Sequence, residues 1–113
     1  MSYYKSMTPE RKKKFNALTI ENAKRYVKRN QEYVLAILQN SCCIDCSEAD
    51  PVVLDFDHVD REEKFRSVAK LIRQGTALVK LQAEIDKCVV RCANCHRRKT
   101  AKELGWFRAM ESI

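Results

Sequence analysis

Two Cys-x2-Cys pairs carry the clearest chemistry in the chain: Cys43-Ile-Asp-Cys46 and Cys92-Ala-Asn-Cys95. A two-residue gap lets both sulfurs of a pair reach one ion from a tight turn, and four thiolates close a tetrahedral zinc site. One pair alone would suit a redox motif or buried free thiols equally well. Two pairs in so short a chain point to structural zinc, Zn2+ held by Cys43, Cys46, Cys92 and Cys95. Cys42 would leave three residues before Cys46, so Cys43 is the expected ligand; Cys88, ahead of a β-branched pair, is expected in the core. Residues 47–91 separate the pairs, far more than the ~15–20 residues of a zinc ribbon, so something is inserted. The insertion contains LDFDHVD at 54–60, with His58, and the other histidine, His96, directly follows Cys95. A zinc ion tying the pairs together would draw His96 toward the strand that carries Asp57. A hard carboxylate oxygen, an imidazole and a second histidine titrating near ~6.5 suit metal-assisted hydrolysis of a phosphodiester. A cation would polarise the phosphate while a neutral histidine takes a proton from water.

The elements that must position these groups can be outlined from pattern. Thr8-Pro9-Glu10 forms a helix start: a hydroxyl for free N–H groups, a proline in the first turn, and an acid at the positive end. Phe15, Leu18, Tyr26, Val27, Val34, Ile37 and Leu38 recur at helical spacing. This predicts one long helix, or two with a weak break near Thr19-Ile20, ending at Asn40-Ser41. Lys12, Lys13, Lys24, Arg25, Lys28 and Arg29 lie on its opposite face. Residues 42–51 read as a turn-rich knuckle and 52–56 as a strand. Residues 65–74 and 76–87 read as helices separated by Gly75, 88–91 as a second strand, and 93–101 as a last helix. Asp57 and His58 follow the first strand. They would leave opposite faces if the strand continued, or turn toward one cavity if it ended there. Gly105 stops the last helix, and Trp106 and Phe107 are expected to dock on the core rather than to stack on a base.

The fold class is therefore small α+β, with two units in one compact whole: a basic helical extension at 1–41 and a cysteine-bearing domain at 42–113. The chain has 113 residues, 45% hydrophobic and 33% charged, with two Gly and two Pro. Long flexible linkers are not expected. No apolar run approaches the ~20 residues of a membrane span, and MSYYKSMTPERKKKF lacks the apolar stretch of a signal peptide. A cytoplasmic protein without a membrane partner is expected, where cysteines serve as metal ligands or reduced thiols. The net charge of +7 is uneven. Residues 1–40 hold nine Lys/Arg against three acids, 41–90 hold seven against ten, and 91–113 hold six against two. Basic ends suit a polyanion, and an acidic middle suits a cation-dependent site. Arg97, Arg98 and Lys99 after the fourth cysteine, with Lys24 and Lys28 on the first helix, are the expected phosphate contacts. Arg grips phosphate through paired N–H bonds and Lys acts as a point charge.

The succession Cys-x2-Cys, LDFDHVD and EIDKCVVRCANCHRRKT resembles the HNH endonucleases of the ββα-metal group, in the four-cysteine form of phages and prophages. The resemblance covers about residues 42–102. It implies a treble-clef-like β-hairpin and helix around the metals, with the long N-terminal helix and further helices added. It implies that His58 is the general base, and that Asp57 and His96 hold a catalytic divalent ion, Mg2+, Mn2+ or Ni2+. The four cysteines would hold zinc, and Lys99 matches the lysine of the family's CHxxK. The substrate would be double-stranded DNA, met through its minor groove with weak sequence preference, and the setting phage DNA processing or packaging beside a terminase in the bacterial host cytoplasm. The family's middle asparagine is missing: Lys87 stands near its place, so Asn94 or a backbone carbonyl is expected to orient His58. Two other classes remain open at this level: a non-catalytic zinc-stabilised module that binds nucleic acid, and a protein-interaction domain using the long helix.

Overall fold

A computed structural model describes residues 3–110. Helix α1 runs unbroken from Pro9 to Gln39. Thr8 Oγ1 accepts the Arg11 N–H at 3.3 Å, which satisfies one of the free donors of the first turn. Thr19-Ile20 causes no break, because the Thr19 hydroxyl donates to the Phe15 carbonyl at 2.9 Å and is absorbed within the helix. Asn40 ends α1, as the pattern predicts.

The first strand differs from expectation. Residues 51–53 form a short 3-10 turn, and β1 spans Leu54–His58. Asp50 accepts the Val52 N–H at 3.0 Å, and Pro51, with fixed φ and no N–H, continues the turn. Asp57 and His58 therefore lie inside the strand and leave opposite faces. Two short helices follow, α2 at Val68–Arg73 and α3 at Leu78–Ile85. The chain returns as β2, Cys88–Cys92, antiparallel to β1 with Leu54 opposite Cys92 and His58 opposite Cys88. It then enters α4, Ala93–Glu103, directly.

Gly75 is what lets α2 and α3 fold back on α1. It closes α2 at φ +66, with Thr76 N–H donating to Leu71 O at 3.2 Å and Gly75 N–H to Ile72 O at 3.1 Å. These are the two bonds of a Schellman turn. The Thr76 carbonyl then accepts from Arg29 at 2.9 Å and from Asn30 at 3.0 Å, tying the turn to α1. A Cβ at Gly75 would lie 3.1 Å from Tyr26 Cβ. Gly75→Ala is thus expected to lower stability by about 1–2 kcal/mol from backbone conformation alone, and further from the contact. Urea denaturation of the zinc-loaded chain measures the loss.

Val34, Val68, Leu71, Leu81 and Ile85 form the main core, and Cys88 packs against it as expected. Cys43, Leu54, Cys92 and Cys95 form a second cluster, with Leu38, Val53 and Val90 against it. The second half of α1 belongs to the main core, since Asn30 and Val34 are buried there. The first half projects. The chain measures 72 × 29 × 21 Å with a radius of gyration of 19.6 Å, against about 13 Å for a compact domain of this length. Among the described residues the protein is small mixed α+β: four α-helices, one two-stranded antiparallel sheet and a four-cysteine cluster. Among the described residues no helix is long and apolar enough to cross a membrane.

Candidate functional site

Both Cys-x2-Cys pairs fold into knuckles whose backbone donates to sulfur. Asp45 N–H lies 3.4 Å from Cys43 Sγ, and Cys95 N–H lies 3.4 Å from Cys92 Sγ. Ser47, at φ 66, completes the first turn by donating its N–H to Cys43 O at 2.9 Å. The bond from Ile44 N–H to Val90 O, 2.9 Å, pins this knuckle to β2. The four sulfurs converge: all lie within 4.8 Å of one another, and Cys46 Sγ is 3.7 Å from Cys92 Sγ. Zn–S bonds of about 2.3 Å in a tetrahedron give an edge of about 3.8 Å. The four-cysteine group fits a metal ion such as zinc. Cys42 is exposed and Cys43 buried, consistent with Cys43 as the ligand.

Protonation supports the same conclusion. Burial pushes the Cys43 thiol up, but backbone groups at Cys92, Cys46 and Asp45 outweigh it and bring it down to about 6. Cys95, beside the Cys92 thiol and buried, is pushed up to about 12. Thiolates crowded together repel, and a bound cation removes that penalty. Arg98 Nη1 lies 3.9 Å from Cys95 Sγ and adds positive charge at the edge of the cluster.

On one face of β1 stand Asp55 and Asp57. His96, on the first turn of α4, lies between them, with Nδ1 3.7 Å from Asp55 Oδ2 and Nε2 3.6 Å from Asp57 Oδ1. The cysteine knuckle at Cys92–Cys95 sets this position, because His96 is the next residue. Asp57 is 8% exposed. Its Oδ2 accepts from Lys99 Nζ at 3.0 Å and from Arg91 Nη1, while Arg91 Nε also donates to Asp45 at 2.6 Å. Burial pushes the Asp57 carboxyl up, but the bonds from Lys99 and Arg91 and the charge of His96 hold it below the usual carboxylate range. Two ligands at about 2.1 Å from a magnesium-type ion are about 3.0 Å apart in cis positions and about 4.2 Å in trans. The 3.6 Å between Asp57 Oδ1 and His96 Nε2 falls between these limits. As it stands the pair matches neither position of an octahedral ion, so holding one would require the two side chains to shift by about half an ångström.

The opposite face of β1 carries Leu54, Phe56 and His58. His58 is 7% exposed, and its Nε2 lies 2.7 Å from Glu84 Oε2 on α3. Glu84 is 3% exposed and fully partnered: Oε2 also accepts the Phe65 N–H at 3.1 Å, and Oε1 accepts Lys87 Nζ at 3.0 Å. Burial pushes the Glu84 carboxyl up, but Lys87, His58 and Phe65 outweigh it and lower it overall. An ionised carboxylate only accepts, so Nε2 is the nitrogen that donates to Glu84, and Nδ1 is the ring nitrogen turned away from it. Glu84, not Asn94, is therefore the residue that orients the ring; Asn94 is exposed on α4. His58, Asp55, His96, Lys64 and Ser67 line one cleft of about 380 Å³, whose remaining walls are largely apolar.

Sequence reasoning missed Glu84, Arg91 and Asp55. Glu84 had a signal: it sits three residues after Leu81 and beside Ile85, on the apolar face of α3, where a charge needs a buried partner. Asp55 shares the face of Asp57 two residues away. Of the expected phosphate contacts, Lys24 and Lys28 are exposed on α1, and Arg97 and Arg98 are exposed on α4. Lys99 is engaged within the protein by Asp57 and, at 3.6 Å, Glu103. Phe107 does not dock on the core: it is 76% exposed, while Trp106 is 36% exposed. No family model matches the chain, and neither a curated protein nor a solved structure matches it.

Proposed function

We propose that the chain is a metal-dependent DNA endonuclease of the HNH kind, with β1, β2 and α4 as a ββα-metal core. The observation that carries this reading is the single cleft lined by His58, Asp55 and His96, with Asp57 directly behind His96. The proposed base, His58, and one proposed ion ligand, His96, share that cleft, and the other ligand, Asp57, lies beside His96. Asp57 and His96 would hold Mg2+, Mn2+ or Ni2+, and such an ion, when bound, polarises the phosphate and stabilises the leaving oxygen. His58 takes the proton of the attacking water at Nδ1. Glu84 holds the ring and stabilises the imidazolium that results. Arg97 and Arg98 grip neighbouring phosphates, and the basic face of α1 lengthens the footprint through Lys24 and Lys28. Contacts to phosphate carry little sequence information, so double-stranded DNA is cut or nicked with weak preference. Phage DNA processing beside a terminase, in a bacterial cytoplasm, is the setting that the family resemblance suggests. Divalent-ion-dependent nicking of a plasmid tests the reading.

Glu84→Gln removes the negative charge while keeping the shape. Turnover is expected to fall by about 10–100-fold, as for other carboxylates that orient a working histidine. Single-turnover nicking by a variant with unchanged zinc content measures this, and an unchanged rate would make Glu84 purely structural.

One observation favours a second reading. Lys99 and Arg91 already neutralise Asp57, as they would in a zinc-stabilised module that binds nucleic acid without cutting it. Calorimetric titration of Mn2+ into the zinc-loaded chain separates the two. Binding that His96→Ala abolishes supports the nuclease; no binding supports the silent module.

A further inference from the structure

A second cleft, of about 310 Å³, runs along α4 from Asn94 to the turn beyond its end and shares no residue with the cleft of His58. Its position follows from how α4 stops. Gly105 adopts φ +66; its N–H donates to Lys102 O at 3.3 Å, and Trp106 N–H donates to Ala101 O at 2.9 Å. This Schellman turn folds the chain back along the helix, and the Arg97 guanidinium comes to lie 5.2 Å from the centre of the Trp106 ring. Arg98, Lys102, Arg108 and Asn94 complete the polar walls, and among the described residues no acidic residue lines the cleft.

Four cations with no carboxylate facing them among the described residues favour an anion from outside. An indole backed by a guanidinium offers a flat surface suited to a base. Inorganic phosphate would satisfy the cations and ignore the ring. A base inside a duplex keeps its faces covered by its neighbours. We propose that the Trp106 cleft binds an unpaired nucleotide of a DNA strand, its base stacked on the indole that Arg97 backs and its phosphates held by Lys102 and Arg108. The site goes beyond the proposed cleavage chemistry and does not depend on it. On a nicked or locally melted substrate it would hold the displaced strand while the duplex lies along α1.

The chain has a single tryptophan and four tyrosines, so fluorescence excited selectively at the indole reports this cleft alone. The zinc-loaded full chain is titrated with oligothymidylate, with an abasic strand of equal length, and with oligouridylate, without added Mg2+, Mn2+ or Ni2+. Strand integrity is checked on a gel. Oligothymidylate is expected to quench the fluorescence and to bind about 5–150-fold more tightly than the abasic strand, the range for one stacked base. By anisotropy of a labelled strand, Trp106→Leu should abolish that preference and Trp106→Phe should keep most of it. Equal affinity for the thymidylate and abasic strands without quenching would overturn the proposal, leaving a bare phosphate patch. Tighter binding of oligouridylate than of oligothymidylate would overturn DNA as the occupant. These outcomes are read without any cleavage, so a chain that cuts no DNA can still show the site, and an active nuclease can lack it.

Discussion

Stripping zinc from the chain is expected to abolish its cooperative melting transition. The second core cluster consists of three of the four ligands, Cys43, Cys92 and Cys95, together with Leu54. Without the ion little apolar surface holds the first knuckle, β1, β2 and α4 together. Structural zinc contributes on the order of 10–16 kcal/mol in small metal-bound domains, as much as the roughly 5–15 kcal/mol by which whole domains are stable. Cys43→Ser should act like chelation, because Cys43 is only 1% exposed and points into the cluster while its neighbour Cys42 is exposed. Circular dichroism melting alongside zinc content measures both. A chain that melts at one temperature with and without the ion would contradict a structural role for it. The linkage to pH has a definite sign. Cys46 is shifted upward and Cys95 lies at about 12, so both must lose protons when the ion binds. Zinc binding therefore releases protons and weakens as pH falls. With two or more protons released, affinity should drop by about a hundredfold or more per pH unit in the neutral range.

His58→Ala is expected to slow nicking by about 10²–10⁴-fold, the usual contribution of a positioned general base, or roughly 3–5 kcal/mol of barrier. The variant is informative because the surroundings tolerate it. Glu84 keeps Lys87 and the Phe65 N–H as partners, so no buried charge is orphaned, and the zinc cluster lies elsewhere. Zinc content and plasmid binding should stay at wild-type levels while the single-turnover rate falls. Loss of rate together with loss of zinc would assign His58 to the fold instead.

The parts of the molecule legible from sequence are those set by local rules. The Thr8-Pro9 start and the spacing of Val27, Val34, Ile37 and Leu38 mark α1 because capping and amphipathic period act within a few residues. The knuckles are legible because Cys-x2-Cys compels a turn. The start of β1 was displaced because Val52 and Val53 favour a strand by composition, whereas Asp50-Pro51 imposes a turn that overrides it. Helix α2 begins late because the Phe65 N–H goes to Glu84, 19 residues away. No local pattern encodes such a pairing. The same holds for the two partners that matter most to the site, Glu84 for His58 and Lys99 for Asp57, which are 26 and 42 residues apart in sequence. A charged residue on the apolar stripe of α3 announces that a partner exists and leaves its identity to the tertiary fold.

The most direct test is whether zinc-loaded wild-type protein cuts supercoiled plasmid in separate reactions with Mg2+, with Mn2+, with Ni2+ and with no added ion. Nicked or linear product that forms only with an added divalent ion is the expected result, and would place base and ion ligands in one working cleft. Plasmid that is bound and shifted but stays supercoiled under every ion would contradict the nuclease, and would make the chain a zinc-stabilised nucleic-acid-binding module.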